Sequence, residues 1–341
     1  MAGKGRVTVR DIAAEAGLSI ATVSRALNQH PNVTPKTREL VEQAAERLGA
    51  RDPRRPGSRR SSLGGAVFVR CPYVLTDYFG VIVSSIAETL DRHDRRLVLN
   101  AGEAAQDADV LPGLPDVAGV GGAILILPPE SGSELVRLSA TGFPFVVVDP
   151  RTVLPRDIAG ISAAHASGAR QLTAHLAKLG HTRVGVIGGP REWLASSARM
   201  DGHTAALADA GVLPDARLVR YMQPTVEHGY RAAGELLDLP ERPTALVAFN
   251  DKAAVGALQA ATERGLRVPD DLSIAGFDDI DLSRATFPQL TTVRQPLQEM
   301  GRMAVSLLNR LLEQHEVEAL HVELATELVV RGSTGPVPSR R

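Results

Sequence analysis

Residues 8–28, TVRDIAAEAGLSIATVSRALN, limit what this chain can fold into more than any other stretch. They read as two short helices joined by a very tight turn. Thr8, with Asp11 three residues on, suits an N-cap followed by an acidic first turn. Ile12, Ala13 and Ala16 make one apolar face, and Gly17 stands where a helix ends in a left-handed residue. Ser19 caps a second helix, 20–27, whose Val23, Ala26 and Leu27 turn inward. Ile20, Ala21, Thr22, Ser24, Arg25 and Asn28 are left as candidates for a nucleic-acid face. Such a pair is a helix-turn-helix pattern, and its second helix suits a DNA major groove, with its first residues at base edges. Short amphipathic helix pairs also occur in folds that never meet DNA. A third helix adds weight: Thr34 as cap, Pro35 at the first position, residues 36–48, and a stop at Gly49. Three helices over about 50 residues reach the size of a small independent domain.

The charge distribution agrees. Residues 1–62 carry twelve Lys and Arg against six Asp and Glu, so this head is +6 while the remainder is −7. A basic head on an acidic body suits a head that meets phosphates. The single cysteine, Cys71, excludes an intramolecular disulfide. No apolar run approaches the roughly 20 residues of a membrane span, and the N-terminus lacks a signal-peptide core. A cytoplasmic, nucleoid-associated protein is expected, with no membrane partner.

With their continuation VTPKTRELVEQAAERLG, these residues resemble the amino-terminal domain of the LacI/GalR family, the lactose- and galactose-repressor type of regulator. The resemblance runs from Val7 to Gly49. It implies DNA-facing roles for Thr8, Ser19, Thr22, Ser24, Asn28, Thr34 and Thr37. Ile20 and Ala21, on the first exposed turn of the recognition helix, suit thymine methyl groups; Arg25 suits a base edge or a phosphate. After the head the family carries a hinge helix that wedges an apolar side chain into the minor groove. Here RDPRRPGSRRSS (51–62) departs from that pattern: Pro53, Pro56 and Gly57 disfavour a helix, and no leucine precedes Leu63. Phosphate contact through Arg54, Arg55 and Arg59, with Arg60 nearby, is the expectation for this linker.

From residue 65 onward, short apolar runs alternate with amphipathic stretches. Strands are expected at 66–69, 97–100, 123–127, 145–149, 184–187, 218–221, 245–248 and 273–277. Helices are expected between them at 81–91, 133–139, 168–179, 197–210, 228–237 and 252–264. Near-continuous apolar strands alternating with helices predict parallel sheets covered on both faces, and the length predicts two of them. LGHTRVGVIGGP (179–190), residues 249–279 and PQLTTVRQP (288–296) resemble the family's effector-binding core. The fold class implied is a three-helix helix-turn-helix head plus an α/β effector domain of two parallel-sheet lobes, periplasmic-binding-protein-like type I. Three crossings between lobes are expected near 158–160, 290–292 and 322–325. This gives a head at 1–50, a linker at 51–63, one lobe from 64–158 and 292–322, the other from 159–291 and 323–334, and a tail at 335–341.

Ligands of open α/β sheets bind beyond the carboxyl ends of strands, which points to Asn250, Asp251 and Asp278. The resemblance assigns Asn250, Asp278 and Arg199 as polar contacts to an effector and Gln295 as a contact from a crossover. It sets Tyr78 and Phe79 on the opposite wall, and Trp193 falls in a loop at the mouth. The plainer alternatives are that Asp251 caps the following helix and that Trp193 and Tyr78 merely pack. His165 and His181 read as structural, and no His/Cys cluster suggests a metal. Ala164 and His165 stand where the family usually has an Asp-Asn pair, and the region of Pro224 lacks an expected aromatic. The polar set suits a sugar; a nucleobase stacked on Tyr78 or Phe79 is the alternative.

The leading reading is a ligand-controlled repressor, dimeric on a near-palindromic operator, with no cofactor. A sugar-binding module without DNA control is the second. An enzyme is the third, with neither GxGxxG nor GxxxxGK[ST] nor a Ser-His-Asp set to support it.

Overall fold

The computed structural model describes residues 9–27, 33–48, 65–106, 109–315 and 320–338. The chain divides into two compact units, Met1–Gly64 and Gly65–Arg341.

In the first unit, α1 (Val9–Ala16) and α2 (Ile20–Leu27) are followed by α3 (Pro35–Arg47). Gly17 takes φ 65°, and the next amide, Leu18 N–H, donates back to the Ala13 carbonyl at 3.1 Å. This is the six-to-one closure of a Schellman turn, and it needs a residue that enters the left-handed region freely. Ser19 and Thr34 cap the next two helices by accepting from Thr22 N–H at 3.1 Å and Thr37 N–H at 3.3 Å. Ile12, Ala13, Val23, Ala26, Val33, Val41 and Ala44 form the core. Small apolar side chains predominate, so the helices pack closely around little volume.

The second unit holds two parallel sheets. Its strands are β1 (Ala66–Cys71), β2 (Leu97–Ala101), β3 (Val120–Ile126), β4 (Phe145–Val148), β5 (Ala159–Ala163), β6 (Val184–Gly188), β7 (Val219–Tyr221), β8 (Ala245–Ala248), β9 (Ser273–Ala275), β10 (Thr292–Arg294), β11 (His321–Leu324) and β12 (Glu327–Val329). The first sheet runs β11-β5-β4-β3-β1-β2 and the second β7-β6-β8-β9. The helices are α4 (Asp77–Arg92), α5 (Gly132–Ala140), α6 (His165–Lys178), α7 (Leu194–Asp209), α8 (Val226–Leu237), α9 (Asp251–Glu263), α10 (Asp281–Ala285) and α11 (Leu297–Leu312). The central strands are buried throughout, as FVVV of β4 and ALVA of β8 show, because helices cover both faces. Gly202 lets α7 lie against α6: a Cβ there would run into the Ala166 carbonyl.

Two expectations change. Residues 159–163 were expected to begin the second lobe, yet they form β5, hydrogen-bonded to β4 and β11 in the first sheet. The first crossing therefore follows Ala163. Ile161, in the middle of this strand, is buried in the core of the first lobe. The chain recrosses through β10 and β12, which pair antiparallel with each other rather than joining either large sheet. β11 keeps residues as far as Leu324 with the first sheet. The second change is α4, expected to start at 81. It begins at Asp77 with φ 41°, so Tyr78 and Phe79 occupy its first turn.

Candidate functional site

In the head, α2 buries Val23 and Ala26 in the core, and the side chains of Ala21, Ser24 and Arg25 lie outside the described ones. Ile20 is half exposed. The Ser19 and Thr22 hydroxyls share a 2.8 Å hydrogen bond, as do those of Thr34 and Thr37. These four side chains therefore fix helix starts as well as being DNA candidates. Thr8, Asn28, Arg54, Arg55 and Arg59 lie outside the described residues.

The second unit carries a cleft of about 400 Å³ beyond the carboxyl ends of strands from both sheets. Tyr78, Phe79, Trp193, Arg199, Asn250 and Asp278 all line it. Gln295 does not. It is buried behind the floor, where its Nε2 donates to Asp278 Oδ1 at 2.6 Å. Five of the seven described non-glycine residues at positive φ lie at this cleft or directly behind it: Asp77, Leu127, Asp149, Asp278 and Asp279. Strained backbone persists where surrounding bonds overdetermine it, and here it sits at strand and helix ends that aim side chains inward.

The floor is one connected polar chain. Tyr78 OH donates to Asp149 Oδ2 at 2.9 Å, and His165 Nε2 meets Asp149 Oδ1 at 2.8 Å. Arg199 Nη2 lies 3.3 Å from His165 Nδ1. A guanidinium only donates, so Nδ1 accepts and Nε2 carries the proton toward Asp149. Arg199 also bonds the Phe249 carbonyl, lies 3.8 Å from Asp278, and is held between the Phe249 and Phe277 rings at 4.3 and 3.8 Å from their centroids. Burial pushes the Asp278 carboxyl up to about 7, although Arg199 and Gln295 pull the other way. Burial acts upward on Asp149 too, but His165, Arg199 and the Tyr78 hydroxyl outweigh it and hold that carboxyl below its ordinary value. Two carboxylates in one cleft thus differ: one is firmly ionised, the other titrates near neutrality.

Asn250 caps α9 by accepting from Ala253 N–H at 2.9 Å, the role expected of Asp251. Asp251 is instead fully buried, accepting from Thr292 Oγ1 at 2.6 Å and Ile280 N–H at 3.0 Å, so it braces the second crossing. Asp279, next to Asp278, points the other way. Its carboxylate takes bonds from Arg294 at 2.7 Å and Arg331 at 2.5 Å, side chains from the second and third crossings, and from Arg284 at 3.3 Å. One strained dipeptide therefore joins the cleft floor to both return crossings.

Sequence reasoning missed Asp149, Arg151, Tyr73 and Lys252. Asp149 follows β4 as Asp278 follows β9, and the strand-end rule would have found it had the strand not been drawn through 149. Lys252 Nζ reaches across the cleft to Asp77 at 3.0 Å and to Thr76 Oγ1 at 3.2 Å. His165, read as structural, is a central link. Among the described residues, no group of three or more His, Cys, Asp and Glu could hold a metal ion, and no helix is long and apolar enough to cross a membrane.

A helix-turn-helix head and a polar cleft between two lobes define a DNA-binding regulator that answers to a small molecule. Residues 8–49 match the lacI family of bacterial regulatory proteins, and residues 173–334 match a periplasmic binding protein-like domain. The chain is 32% identical to the transcriptional repressor CytR of Escherichia coli (strain K12), with 97% of each chain covered. It is 36% identical to the regulator MalR of Streptomyces coelicolor, again with 97% of each covered. Among solved structures, the lac repressor dimer bound to operator and an anti-inducer aligns with TM-score 0.73 at 28% identity, covering 97% of this chain and 100% of that one. A CelR–cellobiose complex aligns with TM-score 0.71 at 29% identity, covering 96% and 100%. This chain belongs to the lacI family: it is a ligand-responsive, DNA-binding transcriptional regulator and not an enzyme.

Proposed function

We propose that the chain is a homodimeric repressor of a near-palindromic operator, released or engaged by a sugar bound between the lobes. The observation that carries the sugar reading is the cleft floor. Asp149, Asp278 and Arg199 present charged acceptors and a charged donor within one buried network beside Phe79 and Phe249. Sugar hydroxyls both donate and accept, so they match such a set, and charge-assisted bonds supply affinity. The CelR structure holds cellobiose, and that of a LacI family regulator from Enterococcus faecium holds ribose. A nucleobase fits less well, because Tyr73 already stacks on Phe79 at 4.5 Å and 6° and Tyr78 stands edge-on to it.

On the DNA side, the recognition helix presents Ile20, Ala21 and Arg25 to base edges, and Arg54, Arg55 and Arg59 meet phosphates from a linker that does not wedge. Differential affinity of the sugar for two lobe arrangements changes the operator affinity of the heads. Selection of binding sites from random duplexes should recover a near-palindrome. Thermal unfolding against neutral sugars and purines should give a sugar that raises the midpoint, because it stabilises the fold by ~2.7 kcal/mol at 100 times its dissociation constant. A purine response without a sugar response would replace this reading.

A further inference from the structure

Arg151 stands apart from the floor network. It follows Asp149 by two residues, on the wall of the cleft, and its guanidinium carbon lies 5.5 Å from the Tyr73 ring centre and 5.4 Å from that of Trp193. Nη2 donates to the Tyr73 hydroxyl, which itself donates to the Leu127 carbonyl at 3.2 Å. The Arg151 carbonyl accepts from Leu194 N–H at 3.1 Å, so the backbone too is fixed against the start of α7. Among the described residues no carboxylate lies within ion-pairing distance of this guanidinium, and its Nε is buried without a partner. The cation is held by ring faces and one phenol, with most of its N–H groups unengaged. Arginine side chains left this way present a planar edge suited to two adjacent oxygens.

The surroundings decide what those oxygens belong to. Glu192 lies on the same wall, close enough for its carboxylate to act on the Arg151 charge, and Glu103 lines the cleft as well. An anionic group would meet two carboxylates, whereas hydroxyls find a donor and an acceptor side by side. The floor groups, Asp149, Asp278 and Arg199, are meanwhile tied to one another and to His165, Tyr78 and Gln295 as a separate set.

We propose that Arg151 and Glu192 form a second, outer subsite that takes another sugar ring, so that the effector is a neutral di- or oligosaccharide. This rests on the sugar reading above. Neither residue belongs to the floor set, and the placement of Arg151 between Tyr73 and Trp193 makes the second ring a sensor of both lobes.

Isothermal titration of the full-length protein with glucose, cellobiose, maltose, glucose 6-phosphate and glucuronate tests this, with Trp193, the only tryptophan, as a fluorescent reporter. A neutral disaccharide should bind at least about tenfold more tightly than glucose, the worth of hydrogen bonds to a charged group. In Arg151→Ala and Arg151→Lys that ratio should collapse toward one, with circular dichroism confirming the fold. Equal weakening of glucose and disaccharide in both variants, or an unchanged ratio, would overturn the outer subsite while leaving a sugar effector standing. Tighter binding of glucose 6-phosphate or glucuronate would overturn the neutral assignment. No response to any sugar would sink the sugar reading, and the subsite with it.

Discussion

The two walls of the cleft are built on different principles. The first lobe contributes rings, Tyr73, Tyr78 and Phe79, from the end of β1 and a strained first turn of α4. That turn lacks a side-chain cap bond, because Thr76 turns its hydroxyl to Lys252 instead. The second lobe contributes charge, Arg199 and Asp278, locked by aromatic stacking and by Gln295. The division is one of proportion, since Asp149 and Arg151 bring charge to the first wall and Trp193 and Phe249 bring rings to the second. A ligand contacting both has differential affinity for lobe arrangements, which is what a ligand-controlled switch requires.

Breaking the charged wall should have the larger consequences. The strongest expected effect comes from Asp279→Ala, which strips the partner from Arg331, only 11% exposed, and unties the floor from both return crossings. Leaving a buried charge unpaired costs about 3–5 kcal/mol, so urea unfolding should show a loss of that order. A loss below ~1 kcal/mol would mean the crossings are held by packing alone.

Asp278→Asn should weaken effector binding by about 1.5–3 kcal/mol, the worth of a hydrogen bond to a charged group. It should also remove a pH dependence. With a carboxyl near 7 in the fold, sugar hydroxyls donating to the ionised form bind more tightly as pH rises from 6 to 8, and the Asn variant should be flat. For stability the sign is opposite. The folded state holds this proton more firmly than the unfolded chain, so stability falls as pH climbs from about 4 to about 7. A wild-type affinity independent of pH would remove Asp278 from the contact set.

Changes on the aromatic wall should be milder. Tyr78→Phe keeps the ring and deletes the bond to Asp149, so a loss of about 0.5–1.5 kcal/mol in effector binding is expected by titration. Lys252→Ala should be smallest. The pair with Asp77 is about one-third exposed, so about 0–1 kcal/mol is expected, shrinking as salt is raised.

The head was readable from sequence because its signals are local: a cap, a left-handed glycine and an apolar stripe fall within eight residues of one another. Eight of the twelve described strands of the two-lobed body were readable for the same reason, whereas β5 and the strands near the return crossings, β10 to β12, were not. The cleft was only partly so. Asn250 and Asp278 follow strands visible in the sequence, while Asp149 was hidden by a strand drawn one residue too long. Arg151 carried no local signal and His165 only a departure from the family pattern, since their roles depend on Tyr73, Trp193 and Arg199, which are distant in the chain. Asn250 and Asp251 were exchanged because both types cap helices, and only burial separates the cap from the brace.

The most direct test is operator affinity measured with and without saturating effector, in the wild type and in Asp278→Asn. Coupling of about 5- to 150-fold in the wild type, lost in the variant while its effector-free operator affinity is retained, is the expected result. Operator affinity that does not change with a bound effector would contradict the link between cleft and head.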